Sequence, residues 1–295
     1  MPLVPNTPKQ YPVTVFSSLD ENAPKLTAEK GSLKTVLKAC LINGYGDKAG
    51  LNWQVADETA ERAVFYSTDP DAHGHGLMVD NSGVGYVNTY MVGGERFAEY
   101  LGYESRGYNN FGYNNRLCFS QWRLIATARA FCFLVMSAEK QKSQMLFFGD
   151  ISGSYKDTGN TAYLNTSYGS QSSYFDDGNF YQQNKMPLII RSQWQNDGNA
   201  PLAVKTATPM SAFLSLALSY PDAVYNDASA GAVVLVDNTT PRGALPIFAC
   251  ANNLNSIAEF DALAVGARRF MKVNFTDGNA DAKNNFLLPL DYWAI

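Results

Sequence analysis

The chain has 295 residues, of which 46% are hydrophobic and 17% are charged, and its net charge is −4. The charged fraction is below the usual value of about 25%, but 13% of the residues are aromatic, and this combination excludes an intrinsically disordered chain. The mild acidity argues against a nucleic-acid partner, because phosphate binding needs clustered Lys and Arg. No segment has the roughly 20 mostly apolar residues of a membrane span, so we expect no membrane association.

The four cysteines predict buried free thiols rather than a disulfide framework. Cys40, Cys118, Cys132 and Cys250 each lie among apolar neighbours, and none forms a C-x-x-C pair. The first residues, MPLVPNTPKQYP, also lack the basic and apolar regions of a secretory signal. We therefore expect the chain to fold in a reducing compartment.

The N-terminal residues predict an extended arm over 1–19. Four prolines fall within the first twelve residues, at Pro2, Pro5, Pro8 and Pro12. Proline fixes its own φ and disfavours helix in the residue before it, so this segment should be extended. Such an arm either stands free or lies across a partner.

Residues 20–106 predict a small α+β lobe that contains the clearest helix of the chain. Ser32 is the predicted N-cap, Lys34 and Lys38 should point to solvent, and Asn43-Gly44 should end the helix. The apolar face repeats at helical spacing and consists of Leu33, Val36, Leu37, Cys40 and Leu41. Short β-branched and aromatic runs follow, and they predict strands at 52–57, 62–68, 76–81 and 85–92.

A connector over residues 107–116 contains the tandem repeat GYNN-F-GYNN. After it, residues 117–295 predict a β-rich domain with strand-like runs such as RLCFSQWRLIATARAFCFLVMS and SQMLFFGD. The segment SAFLSLALS suits either a strand or a buried helix, and the stretch 152–185 predicts a long polar-aromatic loop. The fold class is therefore mainly β, with an α+β N-terminal lobe and a β-sandwich-like C-terminal part.

The segment DPDAHGHG is the best candidate metal site. It brings together Asp69, Asp71, His73 and His75, and the last two are the only histidines of the chain. A zinc site usually takes three or four such ligands, fixed by further hydrogen bonds, which would suit a metal-dependent hydrolase. The alternative is a polar hairpin turn, in which Gly74 supplies the bend. We expect this hairpin turn, no catalytic constellation and no cofactor.

Tyrosine-rich loops predict an interface, because Tyr combines a rigid apolar ring with a hydroxyl group. These rings could instead stack on sugars or cap the chain's own core. The predicted interface residues are Tyr108, Phe111, Tyr113, Tyr168, Tyr174, Phe175, Tyr181, Tyr292 and Trp293.

Two segments resemble uncharacterised virion structural proteins of tailed bacteriophages. They are TAEKGSLKTVLKACLINGYGDKAGLNWQVA, at residues 27–56, and WRLIATARAFCFLVM followed by MLFFGDISG, within residues 122–153. The resemblance implies a component of a virion that assembles in the host cytoplasm, with copies of itself and other virion proteins as partners. Neither segment is a catalytic signature, so no site residues come with the resemblance.

Three functions follow as hypotheses. The first is a non-enzymatic structural subunit of a bacteriophage virion, in the tail or baseplate, that acts by self-association and docking. A capsid decoration or head–tail joining protein is the close alternative. The second is a carbohydrate- or receptor-binding module for a host-surface polysaccharide, and the third is a hydrolase built around His73 and His75.

Overall fold

The fold is described from a computed structural model of the chain. The described residues are 7–27, 29–72, 74–82, 86–92, 110–112, 119–137, 143–153, 161–165, 189–192, 205–207, 214–220, 223–237, 240–250, 257–274 and 285–295. They are mainly β, as the sequence predicts. None of the helices in these ranges is both long and apolar enough to cross a membrane.

The described strands, numbered in chain order, form four sheets. A two-stranded sheet pairs β1 (Gln10–Pro12) with β21 (Tyr292–Ala294). A five-stranded sheet has the order β3 (Trp53–Ala56), β4 (Arg62–Ser67), β5 (Gly76–Asp80), β6 (Tyr86–Val92) and β7 (Asn110–Gly112). A six-stranded sheet has the order β13 (Ile189–Ser192), β12 (Thr161–Asn165), β10 (Ser143–Asp150), β9 (Ala130–Ser137), β8 (Phe119–Ala126) and β2 (Thr14–Ser17).

The fourth sheet has eight strands and includes most of the C-terminal half. Its order is β11 (Ser152–Gly153), β17 (Thr240–Cys250), β20 (Asn285–Pro289), β19 (Arg268–Asn274), β18 (Ala262–Val265), β15 (Leu214–Tyr220), β16 (Ala223–Asp237) and β14 (Lys205–Ala207). Within the segment whose sequence suits either a strand or a helix, residues 214–219 belong to strand β15. Within the predicted loop 152–185, residues 152–153 and 161–165 form strands. The other residues of this loop lie outside the described ranges.

The predicted helix is present and buries the predicted face. Helix α1 spans Ser32–Lys38 and continues as a π-helical segment over Ala39–Asn43. The chain leaves it at Gly44, which has a φ of 73°, so Asn43-Gly44 ends the helix as expected. Each residue of the apolar face is fully buried, namely Leu33, Val36, Leu37, Cys40 and Leu41.

The N-terminus of this helix is capped differently from the prediction. Gly31, not Ser32, is the N-cap residue, and it makes no side-chain capping bond. The Asn81 side chain supplies the missing acceptor, because its Oδ1 accepts a hydrogen bond from Leu33 N at 3.0 Å. Ser32 Oγ instead accepts a hydrogen bond from Thr27 N at 2.8 Å. Asn81, the residue that follows β5, therefore caps a helix 48 residues earlier in the chain.

Lys34 does not point to solvent as predicted. Its side chain is only 9% exposed and forms an ion pair with Glu58 at 3.3 Å. Its Nζ also donates a hydrogen bond to Thr59 O at 2.5 Å. The long stem lies along the protein while the charged end reaches the loop after β3, which explains how a lysine can be buried here. Lys38 is more exposed and pairs with the same glutamate.

The six-stranded sheet is buried on both faces. In β9, Ala130, Cys132 and Leu134 belong to one hydrophobic core. The alternate residues Phe131, Phe133 and Val135 belong to another. This two-sided burial explains why β9 is apolar throughout rather than alternating between apolar and polar residues.

The two cores join three layers. The first core, which contains Phe131, Phe133 and Val135, packs α1 and the five-stranded sheet against one face of the six-stranded sheet. The second packs the eight-stranded sheet against the other face, with contributions from residues such as Ile247, Met271 and Phe286. This second core gives the sandwich-like C-terminal part that the sequence predicts.

The predicted domain limits do not separate these cores. Leu37, which precedes the connector 107–116, and Phe133, which follows it, lie in the same core. Within the connector, residues 110–112 form β7 and pair with β6. Residues 10–17 of the predicted arm are extended. They pack on their own chain instead of standing free or lying across a partner, because β1 pairs with β21 and β2 pairs with β8.

Two of the four cysteines have described side chains. Cys40 and Cys132 are free and buried, as predicted. Burial raises the pKa of both thiols, because it disfavours the thiolate. The side chains of Cys118 and Cys250 lie outside the described part of the structure.

Candidate functional site

The DPDAHGHG segment forms the loop of an antiparallel hairpin between β4 and β5. This is the polar turn that the sequence predicts, and Gly74 within it has a φ of 72°. Ser67 Oγ accepts a hydrogen bond from Asp69 N at 3.0 Å, and Asp69 Oδ1 accepts one from Asp71 N at 2.9 Å. Asp69 therefore shapes the loop through its own backbone neighbours. His73 lies outside the described residues.

Asp71 binds the N-terminal segment. Its Oδ2 accepts a hydrogen bond from Lys9 Nζ at 2.5 Å, and Tyr11 OH lies 3.4 Å from the same oxygen. The hydrogen bond from Lys9, with the charge of the same group, lowers the pKa of the Asp71 carboxyl. Both side chains of the ion pair are well exposed, so the pair adds little stability. Its effect is to position β1 beside the hairpin loop.

His75 meets a buried hydroxyl group of the six-stranded sheet. Its Nδ1 lies 3.1 Å from Thr161 Oγ1, and Thr161 Oγ1 donates a hydrogen bond to Asp150 Oδ1 at 2.9 Å. Since the single hydroxyl proton goes to Asp150, His75 Nδ1 must carry a proton and donate to Thr161. His75 is half-buried and Thr161 is buried.

Asp150, which accepts the Thr161 hydrogen bond, also forms a buried ion pair with Arg129. Arg129 donates to Asp150 Oδ2 from Nε at 2.9 Å and from Nη2 at 2.6 Å. The two side chains are only 7% and 4% exposed. Arg129 also donates from Nη1 to Tyr11 OH at 3.0 Å, and its guanidinium lies 5.2 Å from the centre of the Tyr11 ring. Burial opposes the charge, but Asp150 and Tyr11 outweigh it and raise the pKa of Arg129.

These contacts form one polar network where three sheets meet. It runs from the exposed Lys9 and Asp71, through Tyr11 and Arg129, to Asp150 and onward to Thr161 and His75. The elements that supply it are β1, the β4–β5 hairpin loop, the β8–β9 turn, β10 and β12. Because Arg129 and Asp150 neutralise each other, the network joins elements without leaving a net charge in the interior.

The hydrogen bonds of the network engage Thr161, His75 and Asp71. Thr161 donates its hydroxyl hydrogen to a carboxylate already paired with Arg129, and His75 donates from Nδ1 toward Thr161. The Nε2 lone pair of this His75 tautomer takes no part in that contact. Asp71 is neutralised by Lys9. Among the described residues, no group of three or more His, Cys, Asp or Glu side chains is arranged to hold a metal ion.

Gly149 allows β10 to approach β9 beside the network. It has a φ of 130°, a conformation that glycine alone adopts readily. A Cβ atom at this position would lie 2.4 Å from Ala130 Cα and 2.4 Å from Arg129 O. The close approach also lets Asp150 N donate to Arg129 O at 3.1 Å. Glycine therefore precedes Asp150 for a geometric reason.

A second polar cluster, which sequence reasoning missed, fixes the turn after β2. Asp20 Oδ2 accepts hydrogen bonds from Ser17 N at 2.7 Å, Tyr45 OH at 2.9 Å and Lys48 Nζ at 2.5 Å. Lys48 Nζ also donates to Val15 O at 2.8 Å. Burial raises the pKa of Asp20, but these donors outweigh that effect and lower it. The only sequence signal was a Ser-x-x-Asp turn pattern.

The predicted interface aromatics have different fates. Trp293 is only 1% exposed and belongs to the second core, so the structure places it in the interior instead of on a surface. Its Nε1 donates to Pro289 O at 3.1 Å, which satisfies its polar atom. Phe111 is part of β7, and Val87 is its backbone partner in β6. The other predicted loop aromatics lie outside the described residues; they are Tyr108, Tyr113, Tyr168, Tyr174, Phe175 and Tyr181.

Tyr292 is half-buried and holds an arginine. The Arg268 guanidinium lies 4.0 Å from the centre of the Tyr292 ring, within the range of a cation–π interaction. Arg268 also donates to both carboxylate oxygens of Asp291, at 2.9 and 2.8 Å. Tyr292 thus stabilises the end of the chain through its ring, while the C-terminal tail docks on its own fold.

Comparison with known proteins adds no assignment to these sites. No family model, no curated protein and no solved structure matches the chain.

Proposed function

We propose that the chain is a non-enzymatic structural subunit of a tailed-bacteriophage virion. It belongs to the tail or baseplate and acts by self-association and by docking to other particle proteins. It is assembled in the host cytoplasm and works as part of the virion.

One structural relationship carries this proposal. The two segments that resemble virion proteins, residues 27–56 and 122–153, pack against each other in the first core. Trp53 of the first segment lies edge to face with Phe131 of the second, with 5.4 Å between the ring centres. Trp53 Nε1 also donates a hydrogen bond to Thr127 O at 3.1 Å. The resemblance therefore falls on one packed unit rather than on two unrelated pieces of chain.

The polar network supports a structural role for the same unit. Its buried charges pair with each other, and its hydroxyl group donates to a carboxylate, so the described groups hold layers together. Repetition around a symmetric particle would multiply weak contacts between copies.

The test is the location of the chain in purified virions of the phage that encodes it. Mass spectrometry would first detect the chain in the particles. An Asp47→Cys variant, which changes an exposed residue, would then carry a gold label for cryo-electron microscopy, with the label applied to unsubstituted virions as the control.

We expect the label at the tail or baseplate. Label on the head would favour capsid decoration, and label at the neck would favour a joining role. Absence of the chain from washed virions would overturn the proposal and favour the carbohydrate-binding alternative, which saturable binding to a host-surface polysaccharide would then check.

A further inference from the structure

We infer that residues 7–18 form an exchangeable segment, through which one copy of the chain binds a second copy by placing β1 and β2 on that copy's sheets. This inference rests on the proposed self-association and names the surface that performs it. The partner is an identical chain, and the site it fills is the one that the segment fills within its own chain.

The first half of the segment is held by the C-terminal strand. Lys9 and Ile295 exchange two backbone hydrogen bonds of 2.9 Å, and Val13 N donates to Asp291 O at 3.0 Å. Between these bonds, Tyr11 lies opposite Trp293 in the register. These backbone hydrogen bonds of β1 and its flanking residues therefore go to β21 and the residues beside it.

The second half of the segment is an edge strand. β2 lies at the end of the six-stranded sheet and pairs antiparallel with β8. Ser18 continues the pairing, because Ser18 N donates to Trp122 O and Trp122 N donates to Ser18 Oγ, each at 3.0 Å. Phe16 is fully buried in the first core, and Val15 packs against the second.

Polar side chains make the binding site of the segment specific. Lys9 pairs with Asp71, and Tyr11 accepts a hydrogen bond from Arg129. Each of these body residues lies far from the segment in sequence. An unrelated strand would leave Arg129 without the Tyr11 hydroxyl and the first core without the Phe16 ring, so this binding site favours an identical chain.

The conformation of one short turn determines whether the segment packs on its own chain or on a second copy. Residues 19–23 connect it to the rest of the chain, and Asp20 holds this turn closed through Ser17, Tyr45 and Lys48. If the turn opens, the contacts of β1 and β2 with β21, β8 and Arg129 can form between two chains with the same geometry. Exchange of an identical terminal element is a low-cost route to symmetric assembly for this reason.

The connecting turn also carries an exposed apolar side chain. Leu19 is 67% exposed, and it is the large hydrophobic side chain left exposed among the described residues. In a two-fold exchange the two connecting turns cross each other, so the Leu19 side chains of the two copies would meet there. Contact between them would cover apolar surface that the closed chain leaves in water.

Disulfide trapping tests the exchange. Gln10 and Ala294 are partners in the register of β1 and β21, and both are exposed. They neighbour the hydrogen-bonded pair Lys9–Ile295, so they form the closer, non-hydrogen-bonded kind of pair, whose spacing suits a disulfide. Chains with only Gln10→Cys are co-expressed with chains with only Ala294→Cys, and purified particles or oligomers are oxidised and run on non-reducing gels.

We expect a covalent heterodimer of the two variants. Co-expression of Gln10→Cys with Ala262→Cys, another exposed position that is not its partner, is the matched control for random collisions. Adding Asp20→Ala to both chains removes contacts that only the closed turn makes, and should raise the exchanged fraction of free protein about tenfold. Leu19→Ser should lower the exchanged fraction.

The inference is overturned if the trapped yield does not exceed that of the mismatched control, with or without Asp20→Ala. A double variant with both cysteines on one chain is the control for the geometry of the pair. If the spacing suits a disulfide, this variant must form the bond within an unexchanged chain. An intrachain bond in virion-assembled protein would reject strand exchange and leave the virion role standing. Absence from virions would reject that role, whatever the trapping shows.

Discussion

Trp53 and Phe131 pack edge to face, with 5.4 Å between their ring centres and 70° between their planes. They come from opposite sides of the Tyr/Asn/Gly connector, and Phe148 of β10 joins them at 6.2 Å from Trp53. The helix-containing lobe therefore has no core of its own among the described residues. The lobe and the six-stranded sheet should gain and lose their structure together.

Leu37→Ala tests this dependence. Leu37 is fully buried in the first core, and a buried leucine truncated to alanine costs about 2–5 kcal/mol through lost burial and a remaining cavity. We expect circular dichroism and tryptophan fluorescence to report one shifted unfolding transition in urea. Lys25→Ala, at an exposed site, should change the free energy of unfolding by no more than about 0.5 kcal/mol. Two separate transitions in the Leu37 variant would contradict a shared core.

Local patterns predicted the elements because their causes are local. The spacing of Leu33, Val36 and Leu37 fixes one helix face, and Gly44 ends the helix by its left-handed φ. The apolar runs of β8 and β9 likewise predicted strands. Nothing in these runs says which core each residue enters, since that depends on the layers packed on either side.

The missed features are contacts between distant residues. Asn81 caps a helix 48 residues away, and Lys34 reaches the carbonyl of Thr59, so neither partner is visible in a local window. Arg129 and Asp150 did leave a signal. Each is a lone charge beside an apolar strand, and such charges need a partner when they are buried. The sequence could have suggested that pair, but not its contact with Tyr11.

The Arg129–Asp150 pair should show strong coupling in a double-mutant cycle. Either Arg129→Met or Asp150→Asn leaves one buried group without its partner, and each should cost about 3–5 kcal/mol of unfolding free energy. The double variant should cost clearly less than the sum, because it removes both charges. Urea unfolding of the four proteins gives the coupling energy. The exposed pair Lys9–Asp71 is the control, and Lys9→Met should cost far less than either change at the buried pair.

Additive losses from Arg129→Met and Asp150→Asn would contradict this assignment. Such a result would mean that the two residues act independently, and that the buried pair does not join the β8–β9 turn to β10.

Gly149→Ala should destabilise the chain far more than a glycine change at an open turn. A Cβ at Gly149 would come within 2.4 Å of two backbone atoms, one in β9 and one in the β8–β9 turn, at a φ of 130°. Gly266 is the control, because its φ is 59° and a Cβ there meets nothing within 4 Å. Gly266→Ala should cost about 1–2 kcal/mol for its left-handed backbone alone. A Gly149→Ala loss no larger than this would show that β9 and β10 lie further apart than described.

The Asp20 cluster predicts a specific loss of stability in acid. The donors Lys48, Tyr45 and Ser17 lower the pKa of Asp20 in the folded chain below its ordinary value of 3.8, despite the opposing effect of burial. A group whose pKa is lower when folded stabilises the fold above the unfolded pKa. That stability is lost as the pH falls from about 4 through the folded pKa. Asp20→Asn should therefore be less stable than the parent at pH 7, and the difference should shrink steadily below about pH 4.

Urea unfolding between pH 7 and pH 2.5 measures this difference directly. Asp47→Asn is the matched control for the loss of one carboxylate, since Asp47 lies in the same loop as Tyr45 and Lys48 and is exposed. Because Asp20 also holds the turn that retains β2, the same acid range should loosen the N-terminal strands before the cores unfold. Hydrogen exchange at the amides of Ser17 and Ser18 would detect this early opening. Protection at these amides that persists until global unfolding would show that the turn does not depend on the Asp20 charge.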